Sequence, residues 1–148
     1  MILDKTNEFS DGQAVTATAI STNVIDLNPS GANDDLDIGA GEPVWLVVQA
    51  DETATAAGAA TVTVTLESSA AAGLTSSKVH FSTAALALAN LTAGAELARV
   101  RLPGGDYLRY LGVRYTVATG PLTAGSFSTF IVKDAQSRKT YASGYSVE

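Results

Sequence analysis

Hydrophobic and polar residues alternate with a period of two along much of the chain, which is the pattern of a β-strand that buries one face. Residues 61–66 show it most clearly, because Val62, Val64 and Leu66 fall on one side and threonines on the other. Residues 96–102 and 108–118 alternate in the same way. On the last segment the predicted inward residues are Leu111, Val113, Tyr115 and Val117. All three segments predict half-buried strands.

The remaining strand candidates are shorter or less regular. They comprise residues 13–20, 23–27, 44–49, 78–82 and 125–132. Residues 44–49 are apolar on both faces, which favours a central strand with Trp45, the single tryptophan, in the core. Residues 53–59 are predicted to be a linker of small residues, and residues 83–91 either one helical turn or a strand.

About eight short strands, with no long helix and no β–α–β alternation, predict an all-β fold. That number of strands suits an antiparallel two-sheet sandwich, either jelly-roll or immunoglobulin-like. We expect the sandwich to occupy residues 13–134. Residues 1–12 are predicted to be an N-terminal arm that becomes ordered on docking, and residues 135–148 a polar C-terminal tail.

Composition excludes several classes of function. The 148 residues include no cysteine and one histidine, which removes disulfides, thiolate metal sites and multi-histidine sites within one chain. The net charge of −6 argues against a nucleic-acid partner. The longest apolar runs, residues 44–48 and 84–89, are far shorter than a membrane span, and residues 1–5 lack a signal-peptide pattern. We therefore expect a protein made in the cytoplasm, without a nucleic-acid or membrane partner.

An acidic loop is the first candidate for a metal site. Asn33, Asp35 and Asp37 occupy alternate positions, as the first ligands of a calcium loop do. An EF-hand requires glycine directly after the third ligand and glutamate at the twelfth position, where this chain has Ile38 and Val44. The mismatch favours a solvated acidic turn.

No group of residues has the pattern of a catalytic centre. His80 lies between Val79 and Phe81 in a short predicted strand, so alternation places it on the outer face. No Gly-x-Ser-x-Gly elbow accompanies it, and no spacing selects a pair of carboxylates. We expect no catalytic, cofactor-binding or metal-binding residues, no cofactor, and a protein that is not an enzyme.

A group of arginines and tyrosines is the candidate protein interface. It comprises Arg99, Arg101, Tyr107, Arg109, Tyr110 and Arg114. We predict that the arginines lie on the outward faces of two neighbouring strands, and both residue types are enriched at interface hot spots. Cross-strand pairing with nearby acidic residues would place the arginines there equally well. Both interpretations stay open at this point.

Several short motifs occur in an order that is informative as a whole. They are Met1-Ile2-Leu3-Asp4, Asn7-Glu8-Phe9-Ser10, Gln13-Ala14-Val15-Thr16, Gly39-Ala40-Gly41-Glu42-Pro43, Leu46-Val47-Val48-Gln49, Tyr110-Leu111-Gly112-Val113-Arg114-Tyr115 and Leu122-Thr123-Ala124-Gly125. This order resembles capsid cement proteins of tailed bacteriophages, the Bbp16-like family. The resemblance covers most of the chain, and its motifs are structural. It implies a jelly-roll protein on the outside of an icosahedral shell, paired as homodimers that tie neighbouring capsomers together.

The leading hypothesis is therefore a structural virion protein, a capsid cement or decoration protein that binds the major capsid protein. A homodimer is favoured and a trimer is the alternative. We predict that residues 1–12 are a shell-binding arm, with Ile2, Leu3 and Phe9 as its apolar anchors.

Three other classes of protein are compatible with a β-sandwich. A carbohydrate-binding module would display exposed aromatics, for which Tyr107, Tyr110 and Tyr115 are the local cluster, although alternation separates Tyr110 from Tyr115. A cupin-type enzyme would need more than one histidine around a metal. A head–tail or tail component cannot be distinguished by composition.

Overall fold

The structure is a computed structural model that describes residues 3–31, 38 and 40–135. This part of the chain contains ten strands and two short 3-10 turns, at Lys5–Asn7 and Leu88–Asn90. The strands are β1 (Glu8–Ala14), β2 (Ala19–Ile20), β3 (Ile25–Asp26), β4 (Trp45–Ala56), β5 (Thr61–Ser69), β6 (Lys78–Ser82), β7 (Leu86–Ala87), β8 (Glu96–Arg101), β9 (Tyr110–Ala118) and β10 (Leu122–Val132). The predicted anchor Ile2, the acidic residues Asn33, Asp35 and Asp37, and residues 136–148 lie outside the described residues.

The strands form two antiparallel sheets that pack face to face. The four-stranded sheet has the order β1-β10-β4-β8, and the six-stranded sheet has the order β2-β9-β5-β6, with β3 beside β9 and β7 beside β5. Counting β2/β3 and β6/β7 each as one interrupted strand gives about eight strands, paired in the orders 1-8-3-6 and 2-7-4-5, which is a jelly-roll. The predicted all-β two-sheet sandwich is thereby confirmed.

The main core lies between the sheets, and it follows the alternation in the sequence. On β5, Val62, Val64 and Leu66 are fully buried, whereas the threonines between them are partly exposed. On β9, Leu111 and Val113 are likewise fully buried. The alternation ends after Leu66, because the β5–β6 connection covers the outer face at the end of β5 and buries Glu67 and Ser69 as well.

Strand β4 continues through most of the predicted linker at residues 53–59, so that prediction is wrong. The small residues of its second half pair with β10 as far as Ala56 opposite Leu122. Gly125 of β10 adopts φ +142, and a Cβ atom there would lie 3.0 Å from the Cβ of Ala54. Small side chains therefore let the two backbones approach closely at this point, and they also hide the alternation expected of a strand.

The predicted boundary between arm and sandwich falls inside a strand. Residues from Glu8 onward belong to β1, which pairs with β10. Phe9 is 0% exposed and belongs to the core between the sheets. The prediction of Phe9 as a shell-binding anchor is therefore wrong, because its side chain already has an intramolecular site. Leu3 is 42% exposed.

Candidate functional site

The predicted arginine–tyrosine interface is divided between the two sheets. Arg99 and Arg101 lie on β8 of the four-stranded sheet, and Arg114 lies on β9 of the six-stranded sheet, with Arg109 just before it. Strands β8 and β9 are consecutive in sequence but not neighbours in either sheet. The prediction of one continuous patch is therefore wrong.

Each arginine has a local partner, and the cross-strand pairing with acidic residues holds for Arg109 and Arg114, whereas Arg99 pairs within its own strand and Arg101 with a backbone carbonyl. The side-chain contacts are Arg99 with Glu96, Arg101 with the carbonyl of Gly41, Arg109 with Asp26, and Arg114 with Glu67. The Arg109 guanidinium donates to both carboxylate oxygens of Asp26, at 3.0 and 2.8 Å. This pairing lowers the pKa of Asp26. These arginines therefore serve first to join elements of the sandwich.

The pair of Glu67 and Arg114 is the most buried of these contacts. Arg114 Nε lies 3.1 and 3.0 Å from the two carboxylate oxygens of Glu67, whose side chain is 5% exposed. Burial alone would raise the pKa of Glu67, but hydrogen bonds from Ser77, Thr65 and Arg114 outweigh it and lower the pKa. Arg114 also donates to the carbonyl of Leu74. The cluster therefore fastens the β5–β6 connection to β9.

The three candidate tyrosines do not form an aromatic platform. Tyr107 is 3% exposed and donates its hydroxyl to the Pro103 carbonyl at 2.7 Å, and Tyr115 is fully buried. Tyr110 is partly buried, and the Arg109 guanidinium lies over its ring. The aromatic cluster that a carbohydrate-binding module would need is thus absent from these three positions.

His80 faces the interior and not the outer surface, so that prediction is wrong. The β5–β6 register shifts between the pairs Leu66–Phe81 and Glu67–Val79, which makes His80 an extra residue in a bulge. Alternation fails at such a bulge. The His80 ring consequently stacks on Tyr107, with centroids 3.9 Å apart.

His80 also makes a close contact with a serine. Its Nε2 lies 2.7 Å from Ser68 Oγ, which in turn accepts a hydrogen bond from the backbone N–H of Leu108 at 3.0 Å. Ser68 is 0% exposed, so a substrate cannot approach it as the Ser–His geometry of a hydrolase would require. The arrangement instead holds the connection between β8 and β9 against β5 and β6. Burial lowers the pKa of His80, and the charge of Lys78 lowers it further.

An open groove lies beside the N-terminal segment. It has a volume of about 510 Å³ and is lined by Lys5, Thr6, Glu8 and residues 23–26. The segment before β1 is ordered by Asp4, whose carboxylate accepts a hydrogen bond from the Thr6 N–H at 3.0 Å. That bond lowers the pKa of Asp4. Of the predicted arm, residues 3–7 thus lie on the surface next to a groove, and residues 8–12 belong to a sheet.

A second apolar cluster lies on the outer face of the four-stranded sheet. Val47, Phe130 and Val132 are its buried members, and Trp45 and Ala135 pack against them. The sequence indicated that residues 44–49 are apolar on both faces, but Trp45 lies outside the core between the sheets. In a two-layer sandwich the second apolar face of a central strand is an outer surface. Phe130 and Val132 likewise place apolar residues on the outer face of residues 125–132. The sequence prediction did not recognise this second apolar face.

Among the described residues, no group of three or more His, Cys, Asp or Glu side chains is placed to hold a metal ion. No helix in that part of the chain is long and apolar enough to cross a membrane.

Comparison with known proteins identifies one family. Residues 9–131 match the family model described as Bbp16, which is a phage-associated family. The matched segment extends from β1 into β10 and so includes strands of both sheets. None of the curated proteins matches the chain.

Proposed function

This chain belongs to the Bbp16 family, and on that premise we propose that it is a capsid cement protein of a bacteriophage virion. It binds the outside of an icosahedral shell through the major capsid protein and ties neighbouring capsomers together. It acts as a homo-oligomer, with a dimer favoured over a trimer, and it is not an enzyme. The observation that carries the proposal is the family match across nearly the entire jelly-roll.

A cement role agrees with the physical character of the molecule. A shell under outward pressure can be held by many copies of a modest contact, because linked contacts add as avidity. The chain contains no cysteine, which suits assembly in a reducing cytoplasm where disulfides are not used. Arg109 and Arg114 form ion pairs that join separate segments of the sandwich, which suits a domain that bridges two capsomers.

The N-terminal segment and the adjacent groove are the proposed contact with the shell. Leu3 is an exposed apolar side chain. The groove beside Lys5 has a volume of about 510 Å³. Lys5 is linked to Glu8 at 2.8 Å and to Asp11 at 3.1 Å, which fixes the segment against β1. Because the charge of Lys5 is already paired, the shell can bind Leu3 and the groove without burying an unpaired charge.

Co-sedimentation tests the proposal directly. The purified full-length protein is mixed with expanded shells of its source phage that lack it, and the pelleted fraction is measured against protein concentration. Saturation at a stoichiometry that matches the shell symmetry is the expected result. If the folded protein stays in the supernatant at all concentrations, the cement role is wrong, and a head–tail or tail role is tested next by looking for rings.

A deletion variant locates the contact. Deletion must end at residue 7, because Glu8 begins β1 and Phe9 fills the core. The variant that lacks residues 1–7 is expected to remain folded and to lose binding to shells. The matched control is Val79→Ser, which removes a side chain that is 53% exposed on β6 and should leave binding unchanged. Full binding by the deletion variant would move the contact away from the N-terminal segment.

A further inference from the structure

The apolar cluster on the outer face of the four-stranded sheet is covered, although its position is one that normally faces water. Val47, Phe130 and Val132 are 4%, 2% and 7% exposed. Phe130 lies opposite Val47, and Val132 lies opposite Trp45, so that two cross-strand pairs form one patch. Every strand in the described part of the chain belongs to one of the two sheets. No third layer of described strands covers the patch.

The chain itself turns onto this patch after the last strand. Strand β10 ends at Val132, and three residues later Ala135 packs against the cluster. The carbonyl of Ala135 accepts a hydrogen bond from Arg99 Nη1 at 3.4 Å. Arg99 lies on β8, which is separated from β10 by β4. The chain has therefore left the end of β10 and turned onto the outer face in the direction of β8.

A second contact accompanies the departure from β10. Lys133 Nζ lies 2.8 Å from Glu42 Oε2, and this partner lowers the pKa of Glu42. Glu42 precedes β4, so that the ion pair joins the start of β4 to the residue after β10. Both side chains of this pair are exposed, so the course of the chain onto the sheet rests mainly on the packing of Ala135 and its bond from Arg99.

The remaining chain is long enough to cover the patch. Residues 136–148 follow Ala135 and include Tyr141, Tyr145 and Val147. A segment of that length can reach at most roughly 45 Å, whereas four strands at the usual spacing are about 15–20 Å across. The family match ends at residue 131, so these residues are outside the part of the chain that defines the family.

We propose that residues 136–148 bind the outer apolar cluster of their own chain, with Tyr141, Tyr145 and Val147 as the contacting side chains. The C-terminal segment thereby shields Trp45, Val47, Phe130 and Val132 from water. Aromatic side chains suit this role because each removes a large apolar area from water with few rotatable bonds. The inference concerns the isolated chain and does not depend on a role in a virion.

The composition of the chain makes a direct test possible. Trp45 is the single tryptophan and lies at the patch, and the chain contains no cysteine. Ser146→Cys therefore gives one labelling site in the full-length protein. A nitroxide at residue 146 is expected to quench Trp45 emission relative to a diamagnetic label of the same size. The matched control is Val79→Cys, with the same label on an exposed position of β6 in the other sheet, where no quenching is expected.

Dilution decides which copy supplies the segment. The labelled protein is diluted with the unlabelled full-length variant Trp45→Phe, which contains no tryptophan, so that only labelled chains emit. Quenching that is unchanged on this dilution is the expected result, because the contact is within one chain. Quenching that falls on such dilution would show that a second copy supplies the segment and would overturn the proposal. Equal emission with the nitroxide and the diamagnetic label at residue 146 would overturn it as well.

Discussion

Tyr115 and Thr129 join the two sheets through a hydrogen bond of 2.7 Å between Tyr115 Oη and Thr129 Oγ1. Tyr115 lies on β9 of one sheet, and Thr129 lies on β10 of the other. Tyr115 also donates to Ser10 Oγ at 3.0 Å, and Ser10 donates to Gln13 Oε1 at 2.7 Å. Thr129 must then donate to Tyr115, since a phenol has one hydrogen. A continuous chain of hydroxyl groups thus links the two sheets through the core.

Removing the central hydroxyl of this chain should cost more than an ordinary hydrogen bond. Tyr115→Phe leaves the buried hydroxyl of Thr129 without its acceptor and removes the bond that Ser10 accepts, although Ser10 keeps its own bond to Gln13. We expect a loss of about 1–3 kcal/mol in the free energy of unfolding, measured by urea denaturation. Tyr115→Phe combined with Thr129→Val should cost less than the sum of the two single substitutions, because both partners are then apolar. Strict additivity of the two changes would contradict the coupling.

His80 should make the protein less stable as the pH falls from about 7.5 to 5.5, the range around the ordinary histidine pKa. Burial lowers the pKa of His80 in the folded chain, so the unfolded chain takes up a proton at a higher pH than the folded chain does. Stability is therefore complete above the unfolded pKa and is lost as the pH falls through the folded value.

Denaturant midpoints across that pH range provide the measurement. The carboxylates of Asp26 and Glu67, whose pKa values are lowered, lose their contribution only at more acidic pH, which separates them from His80. His80→Gln is expected to flatten the dependence. An unchanged slope in this variant would assign the dependence to another group.

The ion pair of Glu67 and Arg114 should be worth more than surface ion pairs. Arg114→Met leaves the carboxylate of Glu67, which is 5% exposed, without its charged partner and frees the Leu74 carbonyl. We expect a loss of about 2–3 kcal/mol and faster proteolysis within residues 70–77. Lys133→Met, which removes an exposed pair with Glu42, is the matched control and should change neither quantity measurably. Similar effects of the two substitutions would disprove the difference in burial as the cause.

Gly125 should not tolerate a side chain, whereas Gly105 should. At Gly125 a Cβ atom would lie 3.0 Å from Ala54 Cβ and 3.2 Å from Ala54 Cα, and φ is +142. Gly125→Ala is therefore expected to lower the free energy of unfolding by about 1–3 kcal/mol, as measured by thermal and urea unfolding. Gly105→Ala has open space around it and should lie within about 0.5 kcal/mol of the parent protein. Equal stability of the two variants would show that β10 can move away from β4 without cost.

The part of the fold that could be predicted from the sequence is the part governed by local alternation. In β5 as far as Leu66, and in β9, the inward residues follow from the period of two. The same rule failed at His80, because a bulge adds one residue and reverses the faces beyond it. It also failed in the second half of β4, where alanines and threonines differ too little in hydrophobicity to show a period.

Sheet membership could not be predicted, because adjacency in sequence does not determine it in a jelly-roll. Arg101 and Arg109 are separated by a short connection, yet that connection crosses from one sheet to the other. For this reason the prediction of a single arginine–tyrosine interface is wrong. The outer apolar cluster was missed because an apolar run such as residues 44–48 does not reveal which part of the protein covers each of the two faces of the strand.

The pairing of β1 with β10 has a consequence for how the chain is made. Glu8 lies opposite Phe130, so the four-stranded sheet cannot close until the last strand has left the ribosome. Contacts between residues this distant in sequence are entropically costly to form and fold slowly. Until then Phe9 of β1 lacks its core partners and is exposed to aggregation. A chain truncated before β10 is therefore expected to leave this sheet open and to aggregate.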